Sequence, residues 1–340
     1  MSSATLSIRR PPHKLGCVQR IFTTVFLAIS LLLAPALPVE SATLRVAIPG
    51  LSYVIAAIEA KEKGYYREEN LDVELVHMPV GLGVNALIAG NVDFAAMGSG
   101  LFSAILGGAP LRIIMNSFQR PLFFLYGSSE LKTLGDLKGK RIGVPALGTA
   151  GHAMLVEILE RNKHDSERDV ILVGIGNTAT RLQSLLNGVI DAAVLSPPST
   201  FHAEEAGFNQ ILSFVKQDLV FPGGGIGVHE KMLQKNFPLV KRFARATLKG
   251  HYAVLADETG TIPILSKTLR LDSAHAGKYY RAMREAMTPD GTIDGASQKK
   301  ALAPALRLRG SSAPPMLQGI FDFALLHKLG AELKAAGWRP

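Results

Sequence analysis

Ala86-Leu87-Ile88-Ala89-Gly90-Asn91-Val92-Asp93-Phe94-Ala95-Ala96-Met97 and, 98 residues later, Ser184-Leu185-Leu186-Asn187-Gly188-Val189-Ile190-Asp191-Ala192-Ala193-Val194-Leu195 follow one pattern. Two matches precede this one in the same order. Leu44-Arg45-Val46-Ala47-Ile48-Pro49 pairs with Lys140-Arg141-Ile142-Gly143-Val144-Pro145 at an offset of 96, and Asp72-Val73-Glu74-Leu75-Val76 with Asp169-Val170-Ile171-Leu172-Val173 at 97. Three ordered matches whose offset drifts by single residues mark a duplicated unit.

Each copy reads as strand, helix, strand, short helix, strand. Short apolar, β-branched runs at 44–48, 72–76 and 141–144 predict strands, and 92–97 and 190–195 close the copies. Between them, Tyr53–Lys63 and Gly151–Asn162 place apolar residues at helical spacing, and Gly64 ends the first helix. Alternating strands and helices predict two α/β lobes with parallel, right-handedly wound sheets. Asp93 and Asp191 recur at the same turn of both copies, which points to a structural role.

Outward from the repeat, Leu111–Met115 and Leu122–Tyr126 read as further strands. Gly127-Ser128-Ser129 then offers a crossing to the second lobe, and Leu219-Val220-Phe221-Pro222-Gly223-Gly224-Gly225 a return. Lys231–Ala256 and later stretches read as helices, interrupted at Ala313-Pro314-Pro315. The expected organisation is a leader over 1–41, lobe one over 42–126 plus 222–340, and lobe two over 127–221.

The leader carries Arg9, Arg10, Lys14 and Arg20 ahead of the uncharged apolar run Ile21–Leu33 and Ala34-Pro35-Ala36, the layout of a secretory signal peptide. Cleavage after Ala36 and cleavage after Ser41 both fit. Cys17, the chain's single cysteine, precedes the apolar run, so the exported chain has no thiol for catalysis or metal ligation. The eight histidines beyond the leader are scattered, and neither a metal site nor a cofactor is expected. Gly174-Ile175-Gly176-Asn177-Thr178-Ala179 imitates a dinucleotide fingerprint, but the helix after it is too short for such a unit.

The formal charge of +9 suggests nucleic acid only until it is mapped along the chain. Residues 1–41 contribute +3, residues 42–230 sum to −4, and residues 231–340 hold +10. Lys241, Arg242 and Arg245 read as part of a solvated helical face, and no nucleic-acid partner is expected.

Several stretches resemble the extracytoplasmic solute-binding proteins of the nitrate, sulfonate and taurine type, a group that includes binders of the thiamine pyrimidine precursor. They are Lys63-Gly64-Tyr65-Tyr66, Glu69-Asn70-Leu71-Asp72-Val73-Glu74-Leu75, Ala89–Ala95, Gly108-Ala109-Pro110-Leu111, Asp136–Val144 and Gly188–Ala193. The resemblance covers roughly residues 43–255. It implies a type II periplasmic-binding-protein-like fold, with two α/β lobes around a ligand cleft and a hinge of two chain crossings. It further implies a monomeric, periplasmic protein that passes a small solute, anionic or heteroaromatic, to an inner-membrane ABC permease.

In such lobes the ligand sits beyond the carboxyl ends of the strands. The first candidate loop, Pro49–Tyr53, offers Ser52 as a helix cap or ligand contact and Tyr53 as a stacking or core aromatic. Its duplicate offers Gly148, Thr149, Ala150, Gly151 and His152 at a helix start, where family members often hold an anionic group. Ser99 and Gly100 follow the third strand, and Ser196 and Pro197 form the duplicate. Gln119, Phe221 and Gly223 at the crossings complete the set, while Arg120 reads as a rim or hinge ion pair. Two other functions share this scaffold: an enzyme like the eukaryotic thiamine-pyrimidine synthases, whose cysteine-rich iron motif is missing here, and a solute sensor for a membrane receptor.

Overall fold

The computed structural model describes residues 41–147, 149–221, 223–308 and 319–340. The expected leader through Glu40, together with Gly148, Pro222 and the Ala313-Pro314-Pro315 break, lies outside them. The chain begins with β1 (Ala42–Ile48), α1 (Ile55–Glu62), α2 (Tyr65–Glu68), β2 (Leu71–His77), α3 (Val80–Ala89), β3 (Phe94–Ala95), α4 (Ser99–Leu106) and β4 (Leu111–Phe118). After β5 (Phe124–Gly127) the order repeats as β6 (Arg141–Val144), α5 (Ala150–Arg161), β7 (Ile171–Gly174), α6 (Thr178–Leu186), β8 (Ala192–Leu195), α7 (Ser199–Glu205) and β9 (Asn209–Ser213). β10 (Gly223–His229) leads to six helices: α8 (Glu230–Lys235), α9 (Phe237–Ala256), α10 (Glu258–Leu269), α11 (Ser273–Ala286), α12 (Gly295–Leu308) and α13 (Ala324–Ala335).

The strands form two five-stranded sheets, in the orders β2-β1-β3-β10-β4 and β7-β6-β8-β5-β9. In each, the duplicated unit supplies three parallel strands, joined by the helices expected of it. The expectation of parallel sheets fails at the fourth position. β10 runs antiparallel to β3 and β4, and β5 antiparallel to β8 and β9, so both sheets are mixed. Each of these strands enters its sheet from a chain crossing and therefore arrives from the opposite end.

That pairing also moves the first crossing. Leu125 pairs with Val194 and Leu212 of the second sheet, so the strand over 124–127 belongs with β6–β9. The connection runs through Gln119–Phe123, upstream of Gly127-Ser128-Ser129. Gly127 is itself the buried last residue of that strand, where an added Cβ would lie 2.7 Å from the Ile211 side chain.

The repeated turn has a direct structural cause. Gly90 (φ +77°) and Gly188 (φ +68°) both take the left-handed conformation that ends a helix cheaply only at glycine. Three residues on, Asp93 Oδ2 accepts the Arg45 N–H at 2.7 Å, and Asp191 Oδ2 accepts the Arg141 N–H at 2.8 Å. Asp191 thus pins the start of β6, and Asp93 the middle of β1.

Lobe one extends into the C-terminal helices. α9 lies directly on α1: at Gly250 a Cβ would come within 2.1 Å of the Ala56 carbonyl oxygen. Phe243 stacks on Phe94 with centroids 3.8 Å apart, and on Tyr66 at 5.6 Å. Lys241, Arg242 and Arg245 do not simply coat a solvated face. Lys241 and Arg245 both pair with Glu332 of α13 at 3.1 Å, Arg245 reaches Glu69 at 3.3 Å, and Arg242 donates to the Glu69 carbonyl. These half-buried cations clamp α9 to its neighbours, because carboxylates from two other elements converge on them. Among the described residues no helix is long and apolar enough to cross a membrane.

Candidate functional site

The carboxyl ends of the parallel strands β1, β2 and β3 lie on one edge of the first sheet, and those of β6, β7 and β8 on the corresponding edge of the second. The loops that leave them are the candidate walls of a cleft. The two chain crossings meet at its base, where Phe221 N–H donates to the Gln119 carbonyl at 2.9 Å. Gln119 N–H and Arg120 N–H both donate to the Ala286 carbonyl, which fastens the crossing to the end of α11.

Tyr53 sits at this junction. Its hydroxyl accepts the Leu122 N–H at 2.9 Å. Its ring meets Phe118, Phe221 and Phe123 edge-on, with centroids 5.1, 5.8 and 6.4 Å away. Burial pushes its phenol well above the ordinary range, so it stays protonated. Its ring is a partly exposed member of the hinge cluster rather than a free stacking platform. Phe221 is buried in the same cluster, and Gly223 fits beneath it, since a Cβ there would lie 2.8 Å from the Phe221 ring. The adjacent Gly224 (φ +63°) leaves 2.5 Å between a Cβ and the Tyr53 carbonyl oxygen, room that only glycine leaves open.

Ser52 does not cap α1. The cap position is Val54, without a side-chain bond, and the Ser52 carbonyl instead accepts the Tyr279 hydroxyl at 2.7 Å. Thr149 occupies the cap position of α5, yet its hydroxyl turns back to the Ala146 carbonyl at 2.6 Å. The start of α5, Ala150 and Gly151, therefore has no side-chain cap. Gly151 is also small for a packing reason: a Cβ would press on the Pro145 ring at 2.8 Å. His152 is half-buried, and that burial lowers its pKa, favouring the neutral imidazole.

Ser99 and Gly100 open α4 behind Gly98, whose N–H donates to the Gly225 carbonyl of β10. Val80 of α3 lies over Gly100, where a Cβ would sit 2.2 Å from the valine methyl. On the other lobe, Ser196 N–H donates to the Thr178 hydroxyl at 3.1 Å, and Pro197 is buried and joined to Pro198 through a cis peptide. The structure thus brings Tyr53, Gln119, Phe221 and Gly223 together at the hinge. Ser99 and Gly100 stand at one lobe's strand ends, and Thr149–His152 with Ser196-Pro197 at the other's.

Among the described residues Arg120 forms no ion pair. Its guanidinium donates to the Val215 carbonyl at 2.9 Å, from one crossing to the other. Arg181, which sequence reasoning passed over, lies beneath the second lobe's strand ends and is 3 % exposed. It donates to the Val194, Ile175 and Gly176 carbonyls and meets no carboxylate among the described residues. Burial lowers its pKa to about 10, which still leaves it charged at neutral pH. The missed aliphatics are Val80, Leu82 and Leu147, exposed at 39, 58 and 57 %. The glycines flanking Leu82 and Gly148 after Leu147 were their only sequence signal.

Beyond the hinge, α7 reaches the C-terminal helices. Phe201 stacks on His275 at 5.0 Å, His275 Nε2 lies 3.3 Å from Glu205, and Lys278 lies 3.6 Å from Glu204. Lys300 of α12 pairs with Asp218 of the return crossing at 2.9 Å.

Comparison with known proteins agrees with this architecture. The riboflavin-binding protein RibY of Chloroflexus aurantiacus is 27% identical over 217 residues, which cover 62% of this chain and 61% of RibY. The chain thus matches less than two thirds of that relative's length. The putative periplasmic sulfonate-binding protein SsuA of Methylobacillus flagellatus superposes with a TM-score of 0.71 at 18% identity, covering 89% of this chain and 98% of its own. A desulfurization enzyme, DszB, superposes at 0.66 with 14% identity, covering 86% of this chain and 99% of its own. The last two likenesses establish the shared two-lobed α/β fold. The model of the family described as NMT1/THI5 like matches residues 52–259, more than half of the chain, and the chain belongs to that family.

Proposed function

We propose that the protein is the solute-binding component of an ABC-type importer. It is exported by the leader over 1–41, captures a small solute between its lobes, and delivers it to an inner-membrane permease. The observation that carries this reading is the hinge: two crossings hydrogen-bonded to each other through Phe221 and Gln119, with loops from both lobes opening on either side. Such an arrangement lets a ligand stabilise a closed form by contacts that exist only there.

Ligand binding comes from Ser52, Tyr53, Ser99, Gly100, Thr149–His152 and Ser196 with Pro197, and Gln119, Phe221 and Gly223 couple binding to the hinge. The names of the SsuA and RibY relatives support a binding role. DszB shows that the scaffold also carries catalysis, but the exported chain has no cysteine to act as a nucleophile. The test is small-angle scattering of the purified protein with and without a ligand found by thermal shift. A ligand that raises the melting temperature and contracts the molecule supports capture by closure. Loss of uptake of that solute on gene deletion distinguishes transport from sensing, for which uptake is unchanged.

A further inference from the structure

α11 is fixed to the first lobe along its length. The Tyr280 hydroxyl donates to the Val254 carbonyl of α9 at 2.8 Å, and the Tyr279 hydroxyl to the Ser52 carbonyl of the first cleft loop at 2.7 Å. Its last residue, Ala286, receives the Gln119 and Arg120 amides of the first crossing. Fourteen helical residues span about 21 Å. One rod therefore carries a cleft loop, a hinge segment and, at its other end, a contact with α7 of the second lobe.

Three interactions make that contact. Phe201 of α7 leaves its own lobe: it is buried in the apolar cluster of the first, with Tyr279, Tyr280 and Met283 of α11, whereas Ala203, two residues on, belongs to the second lobe's cluster. His275 lies over the Phe201 ring, with centroids 5.0 Å apart and planes inclined by 27°. Its Nδ1 meets Asp272 at 2.5 Å and its Nε2 meets Glu205 of α7 at 3.3 Å, so it stands between one carboxylate from each lobe. One turn further, Lys278 Nζ lies 3.6 Å from Glu204 Oε2, while Glu204 Oε1 accepts the Tyr126 hydroxyl of β5 at 2.6 Å. β5 continues the first crossing, so this pair runs from α11 through Glu204 into the hinge strand. Lys278 and Glu204 are 54 and 43 % exposed, and exposed pairs hold weakly, as a contact that opens reversibly requires.

Resting on the reading of the two crossings as a hinge, we propose that the N-terminal half of α11 is an inter-lobe latch. His275 and Lys278 hold α7, and through it the second lobe, in the arrangement seen here, and rotation about the crossings has to break their contacts with Glu205 and Glu204. The latch thereby sets how readily the lobes move apart.

Spin labels on Glu74→Cys of β2 and Ile171→Cys of β7, exposed positions on the outer strands of the two sheets, report the distance between lobes by dipolar spectroscopy, and Cys17→Ser leaves no other thiol. Lys278→Glu sets two carboxylates against each other. It should shift the populations of inter-lobe distances roughly five- to tenfold away from the parent's, the reach of an exposed pair turned from attraction to repulsion. Adding Glu204→Gln removes the repulsion, while the amide oxygen still accepts the Tyr126 hydroxyl, and should restore the parent's distances. His275→Phe keeps the ring stack, drops both carboxylate contacts and should shift the distances in the same direction as Lys278→Glu. Cooperative melting of each variant shows that it is folded. A shift that Glu204→Gln fails to reverse overturns the latch. So does a broad or two-peaked parent distribution that the variants leave unchanged, with the hinge reading standing. A single narrow distance that neither the variants nor about 1 M salt, where the screening length is about 3 Å, can alter overturns the latch and the hinge reading together.

Discussion

Glu59 gives the protein a pH dependence that can be predicted from its surroundings. It lies on α1, the helix that follows the first cleft loop, and is fully buried between α9 and α10. Oε1 receives the Thr261 hydroxyl at 3.3 Å and lies 3.7 Å from Lys63 Nζ, which is itself held by Asp257 at 2.7 Å. Oε2 has no hydrogen-bond partner among the described residues. Burial outweighs the attraction of Lys63, and the carboxyl pKa rises from 4.5 to about 7. Below pH 4.5 the group is protonated in both folded and unfolded chains. Between 4.5 and about 7 the folded chain alone holds the proton, so unfolding releases it and stability falls as pH rises. At 1.36 kcal/mol per pH unit the loss totals about 3 kcal/mol and levels off above the folded value. Glu59→Gln imitates the protonated carboxyl at every pH. Its advantage over the parent in urea unfolding should therefore grow from near zero at about pH 4.5 to about 3 kcal/mol at about pH 8.5. A difference that stays constant across this range would refute the reasoning.

The hinge and the repeat yield further predictions. Tyr53→Phe removes the acceptor for the Leu122 amide and should cost about 1 kcal/mol in urea unfolding, with faster hydrogen exchange at Leu122. Gly250→Ala drives a methyl into the Ala56 carbonyl and should destabilise by at least 1–3 kcal/mol, the usual range for overpacking, as a lower denaturation midpoint. Asp93→Ala and Asp191→Ala each remove a carboxylate that accepts a strand amide. Each should cost about 1.5–3 kcal/mol while ligand affinity, measured by calorimetry, stays unchanged. A loss of affinity without loss of stability would instead place these carboxylates in the site.

The repeat was legible because each of its parts is local. A glycine that must turn left-handed and an aspartate three residues on recur as a short fixed pattern, legible even though the strand amides those aspartates accept lie 48 and 50 residues upstream. Membership of β5 was not legible, because Leu122–Tyr126 reads as an apolar strand whichever sheet it joins. Only its distant partners, Val194 and Leu212, decide that. The candidate site divides along the same line. That strand-end loops would carry it followed from the repeat, but the tie between Tyr53 and Leu122 spans 69 residues and leaves no periodic trace. Ser52 looked like a cap because it precedes a helix. The helix begins three residues later, and the tyrosine of a distant helix takes the Ser52 carbonyl. Arg181 had no signal at all, since a helical arginine reads as solvated until the three carbonyls around it are seen.

The corrected pairing changes what the hinge is. β5 fills the fourth position of the second sheet and β10 the fourth position of the first, so the same place in each lobe is taken by a strand that has just crossed. The two crossings are thus equivalent under the duplication and lie side by side, joined by Phe221 N–H and the Gln119 carbonyl. A hinge placed at Gly127-Ser128-Ser129 would bend in a glycine-serine turn remote from the aromatic cluster. Placed at Gln119–Phe123 it bends against Tyr53, whose edge-on contacts with Phe118, Phe123 and Phe221 join the first lobe and both crossings. Tyr53 is then at once the centre of the aromatic cluster and the acceptor of a hinge amide. A change in the packing of this cluster therefore acts directly on the segment that joins the two lobes.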